Sequence, residues 1–104
     1  MSAGSAPATQ NTARKCGNGV GEFTAADREL LWELQGGLCN NPLCNAELWE
    51  VGCEEDHITP LKDGGLHDFA NMQLLCPTCN KKKGAKPWPV FLSRYFEDVT
   101  LAAF

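Results

Sequence analysis

The sequence predicts a small α+β domain stapled by a structural zinc site held by four cysteines. Three observations lead there. At 104 residues the chain is short for one domain, and a domain of that size buries a modest fraction of its surface, so a disulfide or metal staple is expected. Six cysteines include two close pairs, Cys39 with Cys44 and Cys76 with Cys79. Finally, the stretch from Asp56 to Gly84, DHITPLKDGGLHDFANMQLLCPTCNKKKG, sets an acidic residue beside a histidine and adds a Gly-Gly turn, asparagines and a lysine run, none of which a packed core requires.

Residues 1–21 are rich in Ser, Ala, Thr, Asn and Gly with almost nothing large and apolar. Such a segment cannot offset the entropy of ordering, so a flexible tail is expected there and a single domain over residues 22–104. Thr24 is an N-cap and Asp27, three residues on, completes an acidic capping box; Leu30, Leu31 and Leu34 form an apolar stripe before Gly36-Gly37, which predicts a helix over 25–35. Asn40, Asn41 and Pro42 put Cys39 to Cys44 on turns. Glu47 to Trp49 and Gly52 to Ile58 read as two short paired strands. Pro60 to Asp68 contains Lys-Asp-Gly-Gly and is a loop, Leu74 and Leu75 are core, and a short helix starts after Pro77. Pro87 and Pro89 should interrupt that helix ahead of a last segment, Val90 to Phe96, with Phe91, Leu92, Tyr95 and Phe96 at helical spacing.

The net charge is −4, but it is unevenly distributed. Residues 20–56 hold nine acidic side chains against Arg28 alone, whereas residues 57–104 hold six basic against four acidic. Positive charge gathers at Lys81, Lys82, Lys83 and Lys86, where it could meet phosphate; the alternative is a solvated helix face. No run approaches the roughly 18 consecutive apolar residues of a membrane span, and the N-terminus lacks the apolar centre of a secretory signal, so a cytoplasmic protein is expected.

That expectation weighs against a disulfide framework for the six cysteines. Four residues separate Cys39 from Cys44, two separate Cys76 from Cys79, and 31 lie between the pairs. Two close pairs on turns suit a tetrahedral zinc, each loop presenting two thiolates at about 2.3 Å. Cys53 is expected to be a small buried strand residue and Cys16 a free thiol in the tail. Four-cysteine zinc is coordinatively closed and cannot be the catalyst. Asp56 and Asn80 offer hard oxygens suited to Mg²⁺ or Mn²⁺ with water and phosphate in the remaining positions. His57 would face away from Asp56 in mid-strand, but at a strand end it could reach a water near a scissile phosphate.

These residues resemble the HNH endonucleases. Asp56-His57-Ile58 is similar to the first motif of that family, Gly64-Gly65 to its loop glycines, Asn71-Met72-Gln73-Leu74-Leu75-Cys76 to its middle motif, and Cys79-Asn80 through Lys83-Gly84 to its last. The cysteine pairs match those of the zinc-containing members, and the resemblance covers about residues 38–86. It implies a ββα-metal core and cleavage of DNA, most simply by nicking. His57 would be the general base, Asp56 and Asn80 would hold one divalent ion, and Asn71 would pin the loop that orients the histidine. The last family position is often His; Asn80 makes this chain an H-N-N variant, which leaves the ion open among Mg²⁺, Mn²⁺ and Ni²⁺. His67 is a possible contact to metal or phosphate. Two rival readings are a zinc-stabilised nucleic-acid or protein interaction module, and a subunit active only inside a larger DNA-processing machine with phage or mobile-element proteins, such as a packaging complex.

Overall fold

The computed structural model describes residues 23–102. Along them run α1 (Ala25–Gln35), α2 (Leu48–Val51), β1 (Glu54–His57), β2 (Met72–Leu75), α3 (Pro77–Lys83) and α4 (Trp88–Ala102), with single 3₁₀ turns at Leu61–Asp63 and Phe69–Asn71. The expected tail and Cys16 lie outside the described residues. None of the described helices is long and apolar enough to cross a membrane.

α1 begins and ends as its sequence dictates. Thr24 Oγ1 accepts from the Asp27 amide and Asp27 Oδ2 from the Thr24 amide, both at 3.1 Å, and Gly36 leaves the helix in the left-handed conformation at φ 65°. The buried face differs from the expected leucine stripe. Leu31 is buried with Arg28 and Trp32, whereas Leu30 and Leu34 are 49% and 67% exposed. At 100° per residue the stripe that reaches the core runs through 28, 31, 32 and 35, and Arg28 qualifies because its guanidinium meets Glu55 of β1 at 2.9 Å.

The strand expectation is also corrected. Leu48–Val51 is a helical turn, and residues 47–49 contribute only a single bridge, Glu47 with Leu38. β1 instead pairs antiparallel with β2, in the register Glu54↔Leu75, Glu55↔Leu74, Asp56↔Gln73 and His57↔Met72. Tertiary pairing wins because β2 is buried along its whole length and needs a ladder on both edges. β1 supplies one. On the other, the Gln35 amide imitates a strand, donating to Leu38 O and Leu74 O and accepting from the Leu74 amide at 2.7, 3.0 and 2.9 Å.

Leu74 and Leu75 are fully buried in a core shared with Phe23, Leu31, Trp32, Leu48, Met72, Phe91 and cysteines. Cys53 is buried, immediately ahead of β1. Gly37 is required where it stands: at φ 72°, a Cβ there would lie 2.8 Å from the Trp49 ring. The helix after Pro77 does end ahead of Pro87, but the last helix starts at Trp88 rather than Val90, so that Pro89 lies inside it. That proline occupies the first turn of α4, where no intrahelical N–H is needed, and the helix runs on to Ala102. Phe91 is buried, with Leu92 and Tyr95 packed beside it, but Phe96 is 58% exposed.

Candidate metal centre and active site

Two close pairs of cysteines become one cluster because β2 delivers Cys76 and α3 delivers Cys79 beside the turn holding Cys39 and Cys44. The four Sγ atoms all lie within 4.8 Å of one another. Tetrahedral ligands at about 2.3 Å from an ion stand about 3.8 Å apart; Cys44 Sγ and Cys76 Sγ are 3.9 Å apart. Burial raises the Cys39 thiol to about 11 and pushes Cys79 up as well. Burial acts the same way on Cys76, but the Cys79 amide and the neighbouring thiols outweigh it and bring Cys76 down. Four thiolates in a dry site demand a divalent cation, so the donor set fits zinc. Asn41, fully buried, completes the surroundings, donating to Cys79 Sγ at 3.4 Å and accepting from the Leu43 amide at 3.0 Å.

Strand alternation divides the polar residues of β1 between two faces. Glu54 and Asp56 turn to α3, while Glu55 and His57 turn away from it. On the α3 side two rungs join strand to helix: Asn80 Nδ2 donates to Glu54 Oε1, and the Lys83 ammonium lies 3.1 Å from Asp56 Oδ2 and 3.3 Å from Oδ1. Gln73 Nε2 donates to the same Asp56 carboxylate at 2.9 Å. Asp56 and Asn80, expected together on one ion, thus face the same strip between β1 and α3 and engage different partners there. Glu54 was missed as a companion to them, although its two-residue spacing from Asp56 on a strand was signal enough.

The lysine run also resolves into separate roles. Lys83, expected at phosphate, is 1% exposed and bonds the His57 carbonyl at 2.9 Å as well as Asp56, so its charge points into the protein. Lys86 caps the C-terminus of α3, donating to Lys82 O at 3.0 Å and Lys83 O at 3.4 Å. Lys81 and Lys82 are exposed, and Lys82 Nζ rests 5.9 Å above the Tyr95 ring. Lys82, Lys86, Arg94 and Tyr95 border a groove of about 530 Å³.

His57 ends β1, and at that end it borders the same cleft of about 280 Å³ as Asp56, Lys62 and Lys83. Its Nε2 is 2.9 Å from Nδ1 of His67. Burial, then His67, lower its pKa below the ordinary 6.5. Asn71 closes the intervening loop with three bonds: Oδ1 accepts from the Thr59 amide at 2.9 Å, and Nδ2 donates to Thr59 O at 2.9 Å and Leu66 O at 2.8 Å. Gly65 lets the chains approach that closely, since a Cβ there would fall 1.8 Å from Thr59 O and 2.7 Å from Asn71 Nδ2.

Two antiparallel strands followed by α3 form the ββα unit expected of the fold class, with the cysteine cluster at its base. No curated protein and no solved structure matches the chain. The HNH endonuclease family matches residues 39–86, from the first cysteine of the cluster to the lysine that caps α3. Over residues 39–86 this chain is therefore similar to the HNH endonuclease family, in the stretch that its motifs and its ββα unit single out.

Proposed function

We propose that the protein hydrolyses phosphodiester bonds of DNA as a divalent-metal-dependent HNH endonuclease, nicking one strand at a time. The observation that carries the reading is the end of β1, where the consecutive residues Asp56 and His57 both border one cleft within the stretch that matches the HNH family. His57 takes the proton of the attacking water. Its depressed pKa keeps it neutral, and a positioned base of this kind contributes about 10²–10⁴ in rate.

Asp56, Asn80 and the neighbouring Glu54 form an all-oxygen donor set along the strip between β1 and α3, which fits a hard ion such as Mg²⁺ or Mn²⁺; Ni²⁺ is the softer alternative. When bound, the ion would supply Lewis-acid stabilisation of charge on phosphate. Lys83 already satisfies Asp56, so ion and ammonium compete for one carboxylate. Asn71 holds the loop, zinc on the four cysteines would hold α3 against the rest, and the exposed Lys81, Lys82 and Lys62 would meet phosphates. Such an enzyme would work in the cytoplasm, where it meets its DNA.

A second reading is favoured by the exposed Phe96, Val99 and Leu101 of α4: the domain would act as a subunit of a larger DNA-processing assembly, as in phage or mobile elements, with α4 against a partner. Incubation of the purified, zinc-loaded chain with supercoiled plasmid and Mg²⁺, Mn²⁺ or Ni²⁺ tests the first. Conversion to open circles that chelator abolishes is expected; intact plasmid with every ion would count against a free-standing enzyme and leave the second reading in its place.

A further inference from the structure

The chain has two histidines, and the fold brings them into contact. Besides the 2.9 Å approach of His57 Nε2 to His67 Nδ1, the ring centroids are 5.1 Å apart at an interplanar angle of 49°, a hydrogen-bonding rather than a stacking arrangement. The second ring is held from two other sides. Fully buried Phe23 stands edge-on to it at 6.0 Å and 75°, and Asn71 grips the carbonyl of Leu66 just before it. Because the same amide grips Thr59, two residues beyond His57, one side chain sets the spacing of both rings. The remaining nitrogen of His67, Nε2, is buried without a hydrogen-bond partner among the described residues. His57 is thus the polar group that the His67 ring engages.

The direction of this bond decides what His57 can do. A neutral imidazole has one N–H and one lone pair. If His67 donated, His57 would commit its lone pair to His67 and keep its proton on Nδ1, with nothing left to accept a proton from water. If His57 donates from Nε2, its Nδ1 is bare. We propose that His67 is the positioning residue of His57: His67 Nδ1 accepts the Nε2–H of His57, fixing the ring and leaving the lone pair on His57 Nδ1 as the atom that takes the water's proton. The chemistry rests on the nuclease reading above, and so does the direction assigned to the bond, since accepting on Nδ1 leaves the proton of neutral His67 on its unpartnered Nε2; the contact between the rings does not. General physical precedent is ample, since the partner of one imidazole nitrogen sets the protonation of the other.

The test uses the full-length zinc-loaded protein and two variants, each checked for zinc content and circular dichroism. His67→Phe removes the acceptor. His67→Asn restores one, because Asn Oδ1 is one bond from Cγ, as His Nδ1 is. Long-range proton–nitrogen spectra, unambiguous with two histidines, should show His57 protonated on Nε2 in the wild type and in His67→Asn, and a mixture of tautomers in His67→Phe. In plasmid nicking, kcat should fall about ten- to hundred-fold in His67→Phe with KM little changed, and recover in His67→Asn. A His57 proton on Nδ1, or spectra indifferent to His67→Phe, would overturn the proposal. Wild-type rates in His67→Phe, with His57→Ala inactive, would overturn it while leaving the nuclease reading intact. Absence of cleavage by the wild type with any ion would remove that reading and the catalytic role of the pair together, even with the Nε2–H tautomer in place.

Discussion

Lys81, Lys82 and Lys83 are chemically identical, and a helix turns them about 100° apart from one to the next. Only the tertiary partner tells them apart. Asp56, carried by β1 and read from sequence as a metal ligand, is also the counter-ion that draws Lys83 inward. Replacing one member of a buried pair leaves an uncompensated charge, so Lys83→Met should destabilise the fold by about 3–5 kcal/mol in denaturant titrations. Lys81→Ala and Lys82→Ala should leave stability within about 0.5 kcal/mol. If they meet phosphate, each should instead flatten the salt dependence of DNA binding by about one unit. At His57 the expected outcome is retained zinc and fold in His57→Ala with cleavage lower by about 10²–10⁴. Burial and His67 hold its pKa below 6.5, and a cation on Asp56 would act in the same sense, so cleavage should persist as pH falls through 6.5 and decline only below it. The sign for stability agrees: the unfolded chain takes the proton first, and stability is lost as pH falls from 6.5 through the lower folded value.

α3 and its N-cap carry two kinds of residue, the cluster cysteines Cys76 and Cys79, which zinc would join, and the candidate site residues Asn80 and Lys83. The two functions therefore cannot be separated by removing the metal. Cys79→Ser, or a strong chelator, should release zinc, lose the near-ultraviolet signal of the packed core and abolish cleavage together, whereas His57→Ala should lower cleavage alone. The loop ahead of β2 is an independent test. Gly65→Ala must push Thr59 and Asn71 apart, so it should lower both Tm and kcat, and do so with zinc content unchanged. At this scale the sequence was legible wherever the signal is local: the capping box of α1, the cysteine turns, the helix after Pro77 and the asparagine of the loop all stand where their residue types require. A strand within Gly52 to Ile58 was legible and stands at Glu54–His57, but its partner was not, because pairing depends on which apolar run has no other cover, and that is decided across the chain. Pro87 and Pro89 marked the break between the last two helices but set the start of α4 two residues late, since a proline stops a helix in its interior and starts one in its first turn.

Across the whole molecule the acidic first half and basic second half meet at the sheet. Lys83 of the basic half pairs with Asp56 of the acidic half, while Arg28 and Glu55, both of the acidic half, pair on the other face of the strand, so part of the basic charge read from sequence goes into holding the fold rather than into attracting DNA. The candidate site was legible as a set of residues, because hard oxygens, a histidine and paired thiols announce their chemistry by type. Its internal connections, Asn80 to Glu54, Lys83 to Asp56 and His57 to His67, were not, because each joins residues whose approach is set by packing. Zinc on the four cysteines would have a further effect on connectivity. Its ligands come in equal number from before and after the exposed segment 61–64, and β1 and β2 also lie on opposite sides of it. A single cut in that segment would yield two fragments, each bringing two thiolates and one strand. The domain should therefore behave as a two-piece protein: after limited proteolysis there, the fragments should co-elute in size-exclusion chromatography and part only when a chelator is added. Separation without chelator would show that the ladder and the metal do not hold the halves on their own.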